Sequence, residues 1–385
     1  MSVWKTLHGS RAAEVLAAHV SSGDVAHAWL LLGPVGSGKR PAAIAMAAAL
    51  NCSVEPGVGC GTCSSCLRIT RRRHPDVHHI VPEGPLIPVD VVREQVIPEA
   101  SRSTFEGRAK VFIIEEADRM NDPAQNALLK TLEEPQPDTV FILLSDREEE
   151  LLDTIRSRCR VVRMEPVDEG TIVELLRKEG ATDEHALLAA RLSEGNLERA
   201  RVLAFDDAAM ERRGIWVGAV RRLTSASDAL DVAAEIVAEA REASKAAEQQ
   251  QKDEVTELAE ALGEGRGTSG ARNALAKRHK RELRRLEEEV LADALGSLAS
   301  FYRDVLAARS GGEEGVTNLD LLPEIRRWAE ADVDEARLLA AAERCVRARA
   351  SLTKNANVAL TIESTLVELV RLVPPRALVG TGAGE

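Results

Sequence analysis

The spacing of apolar residues changes partway along the chain. Up to residue 165, short apolar runs alternate with segments of helical period. The runs at residues 28–32, 77–81, 111–114, 140–144 and 160–164 have the length of buried strands. Ser10 is placed to cap a helix over residues 11–20, because its hydroxyl can accept an orphan amide N–H. Pro41 falls in the first turn of an alanine-rich helix over residues 41–50, where a missing N–H costs nothing. Asn121 or Asp122 caps another helix, with Pro123 pre-setting its first turn and Pro135 stopping it. Strands that alternate with helices predict an α/β unit with a parallel sheet covered on both faces.

After Pro166 the strand pattern stops. Residues 167–205 predict two or three short helices, broken at Gly180 and at Gly195-Asn196. From about Asp207 to Val373 the pattern is almost entirely helical, and Leu283, Leu286, Val290, Leu291, Leu298 and Val305 form a long amphipathic stripe. Residues 248–270 are polar and end in GEGRGTSG, which reads as an exposed connection or a frayed helix end. The expected units are residues 1–165, 166–206 and 207–375, with a flexible tail over 376–385.

The chain has 385 residues, long enough for two or three domains that each bury a core. Its net charge of −12 argues against a generic nucleic-acid coat, and 3% aromatic content argues against a base-stacking platform. No apolar run approaches the roughly 20 residues that span a bilayer, so the expected setting is cytoplasmic, with no membrane partner.

Gly33-Pro34-Val35-Gly36-Ser37-Gly38-Lys39 fits the phosphate-loop frame GxxxxGK, after a strand and before a helix. The glycines let backbone N–H groups converge on phosphate, Lys39 adds a point charge, and the helix adds its positive end. The frame normally ends in Ser or Thr, whose hydroxyl holds Mg²⁺. Here Arg40 stands there, and a guanidinium has no lone pair to give a metal. ATP binding is therefore left open. Glu115 and Glu116 close the strand at 111–114; they read as the metal-side and water-activating carboxylates of that site, or as a solvated strand end.

Cys52, Cys60, Cys63 and Cys66 follow the pattern C-x7-C-x2-C-x2-C. Such knuckles place thiolates around a tetrahedron, and four of them leave no position for water, so a structural zinc is expected, with a redox dithiol as the alternative. Cys159 and Cys345 read as packed residues, and His74, His78 and His79 as a polar strand edge. Arg71-Arg72-Arg73 and the basic run at 277–285 raise nucleic-acid contact as another reading, against that of solvated faces in which Glu282 and residues 287–289 offset the second run.

HAWLLLGPVGSGK, the four-cysteine insertion at 52–66, IIEEADRM, NALLKTLEEP and Ser157-Arg158-Cys159 occur in one order. In that order they resemble the bacterial clamp-loader subunits, the AAA+ proteins of the DNA polymerase III holoenzyme. The likeness covers roughly residues 5–200, and LTKNANVALTIESTLVEL resembles the family's last helices. It implies an AAA+ P-loop core, a helical lid and an all-α oligomerisation collar. It also implies gamma/tau and delta partners, and a complex that places a sliding clamp on primed DNA during replication and touches the DNA backbone.

Within that family, Arg158 matches the arginine finger offered in trans to a neighbour's ATP, and Ser145 matches the first sensor position. Arg40, Glu115 in place of Asp, and Glu198 where the lid's sensing arginine would stand are departures from a working ATPase. They favour the non-hydrolysing delta-prime type; an active gamma/tau-type ATPase is the alternative.

Overall fold

The computed structural model describes residues 2–7, 10–82, 84, 86–262, 268–352 and 357–373. They fall into two compact units, residues 1–205 and 206–385. The expected tail at 376–385 lies outside the described residues.

In the first unit, five strands pair in the order β2-β3-β4-β1-β5. These are β1 (Ala28–Leu32), β2 (Val77–Ile80), β3 (Lys110–Ile114), β4 (Thr139–Ser145) and β5 (Arg160–Arg163). All pairings are parallel. β1, β3 and β4 are buried along their whole length, as runs without polar alternation should be when both faces are covered. Trp29, Leu31, Val111, Ile113 and Ile142 face one apolar layer, while Leu30, Phe112, Phe141 and Leu143 face the other.

Helix α1 (Arg11–Ser22) is capped by Ser10, whose hydroxyl accepts from the Ala13 amide, and ends on Gly23 at φ 77°. Helix α2 (Lys39–Leu50) buries its alanines against β3 and β4. Asn121 rather than Asp122 caps the Asp122–Glu133 helix. Three helices, Glu169–Glu179, Asp183–Ser193 and Leu197–Phe205, share a small core of their own built on Ile172, Leu176, Ala186 and Ala200. This is an α/β P-loop fold with a parallel sheet and a small three-helix lid, and the second unit is all-α.

The second unit is a helical bundle around Phe301, Tyr302 and Trp328, whose rings meet edge to face. Leu291, Leu298 and Val305 are buried in it, whereas Leu283 and Leu286 are only half-buried. Of the polar stretch read as an exposed connection or a frayed helix end, residues 248–262 are the last turns of the Ala226–Leu262 helix, and the next helix, Thr268–Arg309, takes up its end. Ala, Glu, Gln and Lys dominate that stretch, and all four are strong helix formers. Residues 263–267 of the expected connection lie outside the described ones. No helix among the described residues is long and apolar enough to cross a membrane.

Candidate nucleotide and metal site

The phosphate loop leaves the C-terminal end of β1, where the Gly33 amide donates to Ser145 O of the neighbouring β4 at 3.2 Å. Gly36 and Gly38 hold φ of 86° and 83°, a region an L side chain rarely adopts. A side chain at Gly36 would also run into the carboxamide of Asn196, at the start of the third lid helix. Lys39 is folded back on its own loop: Nζ donates to Gly33 O and, at 2.7 Å, to Pro34 O. Burial lowers the pKa of Lys39 below its ordinary value, while Asp146 and Asp118 oppose the shift. The Ser37 hydroxyl is buried and has no hydrogen-bond partner among the described residues.

The next residue reaches across the site. Arg40 Nε donates to Glu115 Oε2 at 2.7 Å, and Arg40 Nη2 lies 2.7 Å from the same oxygen. The other oxygen, Oε1, faces Arg72 Nη2 at 3.4 Å. Glu115 is only 2% exposed, so its charge is held by these cations rather than by water. A metal needs an open oxygen lone pair; here both carboxylate oxygens face guanidinium groups. Arg72 was not singled out in the sequence as part of this site. It follows α3 (Ser64–Thr70) in the left-handed region at φ 55°. Only the pairing of β2 with β3 reveals that the chain after α3 passes beside Glu115.

Glu116 also has φ in the left-handed region, at 51°, and its carboxylate pairs with Arg119 at 2.7 Å. Ser145 is buried at the end of β4; its Oγ lies 2.9 Å from Asp118 Oδ1 and accepts from the Arg147 amide at 3.1 Å. Burial raises the Asp118 pKa, and the Ser145 hydrogen bond works against that rise. Asp118 is a second site residue absent from the sequence reading. Gly33, Gly36, Gly38, Lys39, Glu115, Glu116 and Ser145 therefore gather around the C-terminal ends of β1, β3 and β4, with Arg40, Arg72 and Asp118 among them.

Arg158 lies elsewhere. It lies two residues before β5, whose Arg160 pairs with Trp29 and whose Arg163 pairs with Leu32. The phosphate loop begins past Leu32, so Arg158 sits at the opposite rim of the sheet, about 15–20 Å away at the rise of a strand. Its guanidinium pairs with Glu133 and donates to Thr154 O at 2.9 Å.

The four cysteines converge. The sulfurs of Cys52, Cys60, Cys63 and Cys66 all lie within 4.8 Å of one another, and Cys52 and Cys63 are 3.8 Å apart. A tetrahedron with Zn–S bonds of about 2.3 Å has edges of about 3.8 Å, so the spacing suits such an ion. Backbone amides point at the sulfurs: Glu55 and Cys60 donate to Cys52 at 3.2 and 3.3 Å, and Cys63 donates to Cys60 at 3.3 Å. Amides aimed at sulfur favour thiolates, the form that binds metal. These residues fit a four-thiolate metal site.

The remaining thiols are packed. Burial pushes Cys159 and Cys345 up to about 12, which leaves both unreactive near neutral pH. His78 and His79 lie on edge strand β2, and His74 lies just before it; His78 stacks on Phe112 at 4.7 Å, and burial holds His79 down at about 4.

The family model for "DNA polymerase III, delta subunit" matches residues 9–168. DNA polymerase III subunit delta′ of Bacillus subtilis (strain 168) is 32% identical over 213 residues, covering 54% of this chain and 64% of that protein. The subunit delta′ of Pseudomonas aeruginosa is 45% identical over 137 residues, covering 35% of this chain and 42% of that protein. A DNA polymerase III subunit gamma from Buchnera aphidicola subsp. Baizongia pistaciae is 30% identical over 208 residues, covering 52% and 55%. The chain thus spans less than two thirds of the length of each of these curated relatives. Phosphate loop, cysteine knuckle and strand order all fall within the matched stretch, and over that stretch the chain is similar to delta′ and gamma subunits of DNA polymerase III.

Proposed function

We propose that this chain is a delta-prime-type clamp-loader subunit. It does not hydrolyse ATP itself; it helps to load the sliding clamp onto primed DNA and offers Arg158 to the ATP of a neighbouring subunit. The observation that carries this reading is the Arg40–Glu115 pair, which fills the metal position with an internal cation. Arg158 supports it from the other side of the sheet: it is too far from its own phosphate loop to serve it, so any phosphate it meets belongs to another chain. There a guanidinium would neutralise charge developing on the γ-phosphate.

In this reading the partners are gamma/tau and delta subunits. The second unit acts as the oligomerisation collar, and the complex meets the clamp and the DNA backbone in the cytoplasm. Cys52, Cys60, Cys63 and Cys66 would hold a structural zinc, which fastens the chain between α2 and α3 and leaves no position for water. The alternative, an active gamma/tau-type ATPase, is favoured by the complete Gly33–Lys39 frame and by the gamma relative.

Mixing the chain with a gamma-type ATPase subunit separates the two. The proposal expects a hetero-oligomer of defined mass whose ATP turnover depends on Arg158. Failure to associate, or turnover by this chain alone, would reject it.

A further inference from the structure

Two different segments of the chain reach the buried carboxylate of Glu115. Arg40 comes from the first turn of α2, directly after the phosphate-loop lysine, and meets Oε2 at 2.7 Å. Arg72 comes from the end of α3 and meets Oε1 at 3.4 Å. No local pattern links these two cations, yet they divide the two oxygens of one side chain that is 2% exposed.

The cysteine knuckle sets where Arg72 stands. Cys63 caps α3, its sulfur accepting from the Cys66 amide, and Cys66 lies fully buried within the helix. The Cys66 sulfur is 3.8 Å from Ala48 O of α2, so two of the four cysteines fix both the start of α3 and its seat on α2. The other end is closed by backbone hydrogen bonds: the Arg72 amide donates to Ile69 O at 2.9 Å, and the Arg73 amide to Arg68 O at 2.7 Å. Arg72 itself holds φ 55°, a conformation an arginine keeps only while that closing turn is intact. The helix is 7 residues long, too short to stand without its tertiary ties. The position of Arg72 therefore depends on the thiolate cluster.

We propose that Arg72 is a second closure of the metal position, separate from Arg40, and that the metal-loaded knuckle holds it there. This rests on the reading of Glu115 as the metal-side carboxylate. The physical content is a competition. A divalent cation needs an open oxygen lone pair, and each oxygen of Glu115 is faced by a guanidinium that cannot itself ligate. Removing Arg40 clears Oε2 and leaves the charge of Arg72 beside the same carboxylate, where it still repels an arriving cation. Arg40→Ser restores the missing hydroxyl but not the metal; Arg72 must also leave, or the knuckle must release it. A knuckle that merely fastened the chain would leave the cation affinity of the phosphate site untouched.

The test is Mn²⁺ binding to the full chain, read by electron paramagnetic resonance and counting only the Mn²⁺ whose binding needs both protein and ADP. That subtraction removes metal taken by free thiols. Wild type should show none. Arg40→Ser should bind weakly, and Arg40→Ser/Arg72→Gln at least about tenfold more tightly, the smallest factor one neighbouring charge imposes on a carboxylate. Arg40→Ser/Arg72→Lys, which keeps the charge, should stay with Arg40→Ser. Arg40→Ser/Cys63→Ser should gain as the Arg72→Gln combination does. Should circular dichroism show either gaining variant misfolded, Arg40→Ser dialysed free of zinc takes its place, with the same gain expected. Mn²⁺ binding by the wild type would reject the closed metal position itself. Equal binding by Arg40→Ser and Arg40→Ser/Arg72→Gln, or no gain on breaking the knuckle, would overturn the roles given to Arg72 and the cysteines and leave the closed position standing.

Discussion

Arg40 and Glu115, 75 residues apart, meet at 2.7 Å over the position where a phosphate-loop protein places its metal. The residue that would normally offer a hydroxyl to Mg²⁺ offers a cation, and the carboxylate that would share the metal is occupied by it. Arg72 faces the second oxygen, so the buried Glu115 carboxylate has a guanidinium beside each of its oxygens. Arg40 and Glu115 thus offset each other's charge within the site.

That compensation is measurable. Arg40→Ser leaves Glu115 buried with Arg72 as its remaining close cation, and should lower stability by about 1–3 kcal/mol in urea unfolding. Because the Arg40 side chain is 35% exposed, the lower half of that range is expected. Arg40→Ser/Glu115→Gln should lose less than the sum of the single changes, with a coupling of about 1 kcal/mol or more. Strict additivity would mean the pair does not act as one.

Arg158→Ala should leave the isolated chain intact. Its pairing with Glu133 is a surface contact, worth about 0–1 kcal/mol, so the melting temperature should move by no more than a few degrees. In the assembled complex, single-turnover hydrolysis at one site should slow by about 10³-fold or more, and Arg158→Lys should not restore it, since a lysine lacks the planar fork. Unchanged kinetics in a complex of verified composition would remove Arg158 from this role.

Metal analysis should find about one zinc per chain, and Cys60→Ser or Cys63→Ser should lower it. Chelation should speed hydrogen exchange through residues 52–70 while the helical second unit keeps its protection. Metal-free protein with unchanged exchange would exclude a structural zinc.

Stability should fall on acidification between about pH 6.5 and 4. Burial depresses His79 to about 4, so the folded state keeps it neutral while the unfolded chain takes up a proton below about 6.5. His74 and His78 are lowered by burial in the same direction. The loss from His79 amounts to about 2–3 kcal/mol at the bottom of that window, and His79→Gln should flatten the curve. Urea unfolding at the two ends of the window reads this directly; a curve of the same steepness in His79→Gln would assign the effect elsewhere.

The sheet was legible because its strands are uninterrupted apolar runs, and each boundary fell within a residue or so of the expected one. The phosphate loop and cysteine knuckle were legible because spacing alone carries their geometry. Arg72 and Asp118 were not, since their places depend on which strands lie side by side. The lid's Asn196 against Gly36 is likewise a tertiary contact with no local signal. The polar stretch from 248 read as a connection or a frayed helix end because its apolar period fades, yet helix propensity carries the helix on to Leu262.

The most direct test of the central claim is ATP turnover by the purified chain alone with saturating Mg²⁺, beside Lys39→Ala. A closed metal position predicts that both proteins stay at background. Mg²⁺-dependent turnover by the wild type that Lys39→Ala abolishes would contradict it.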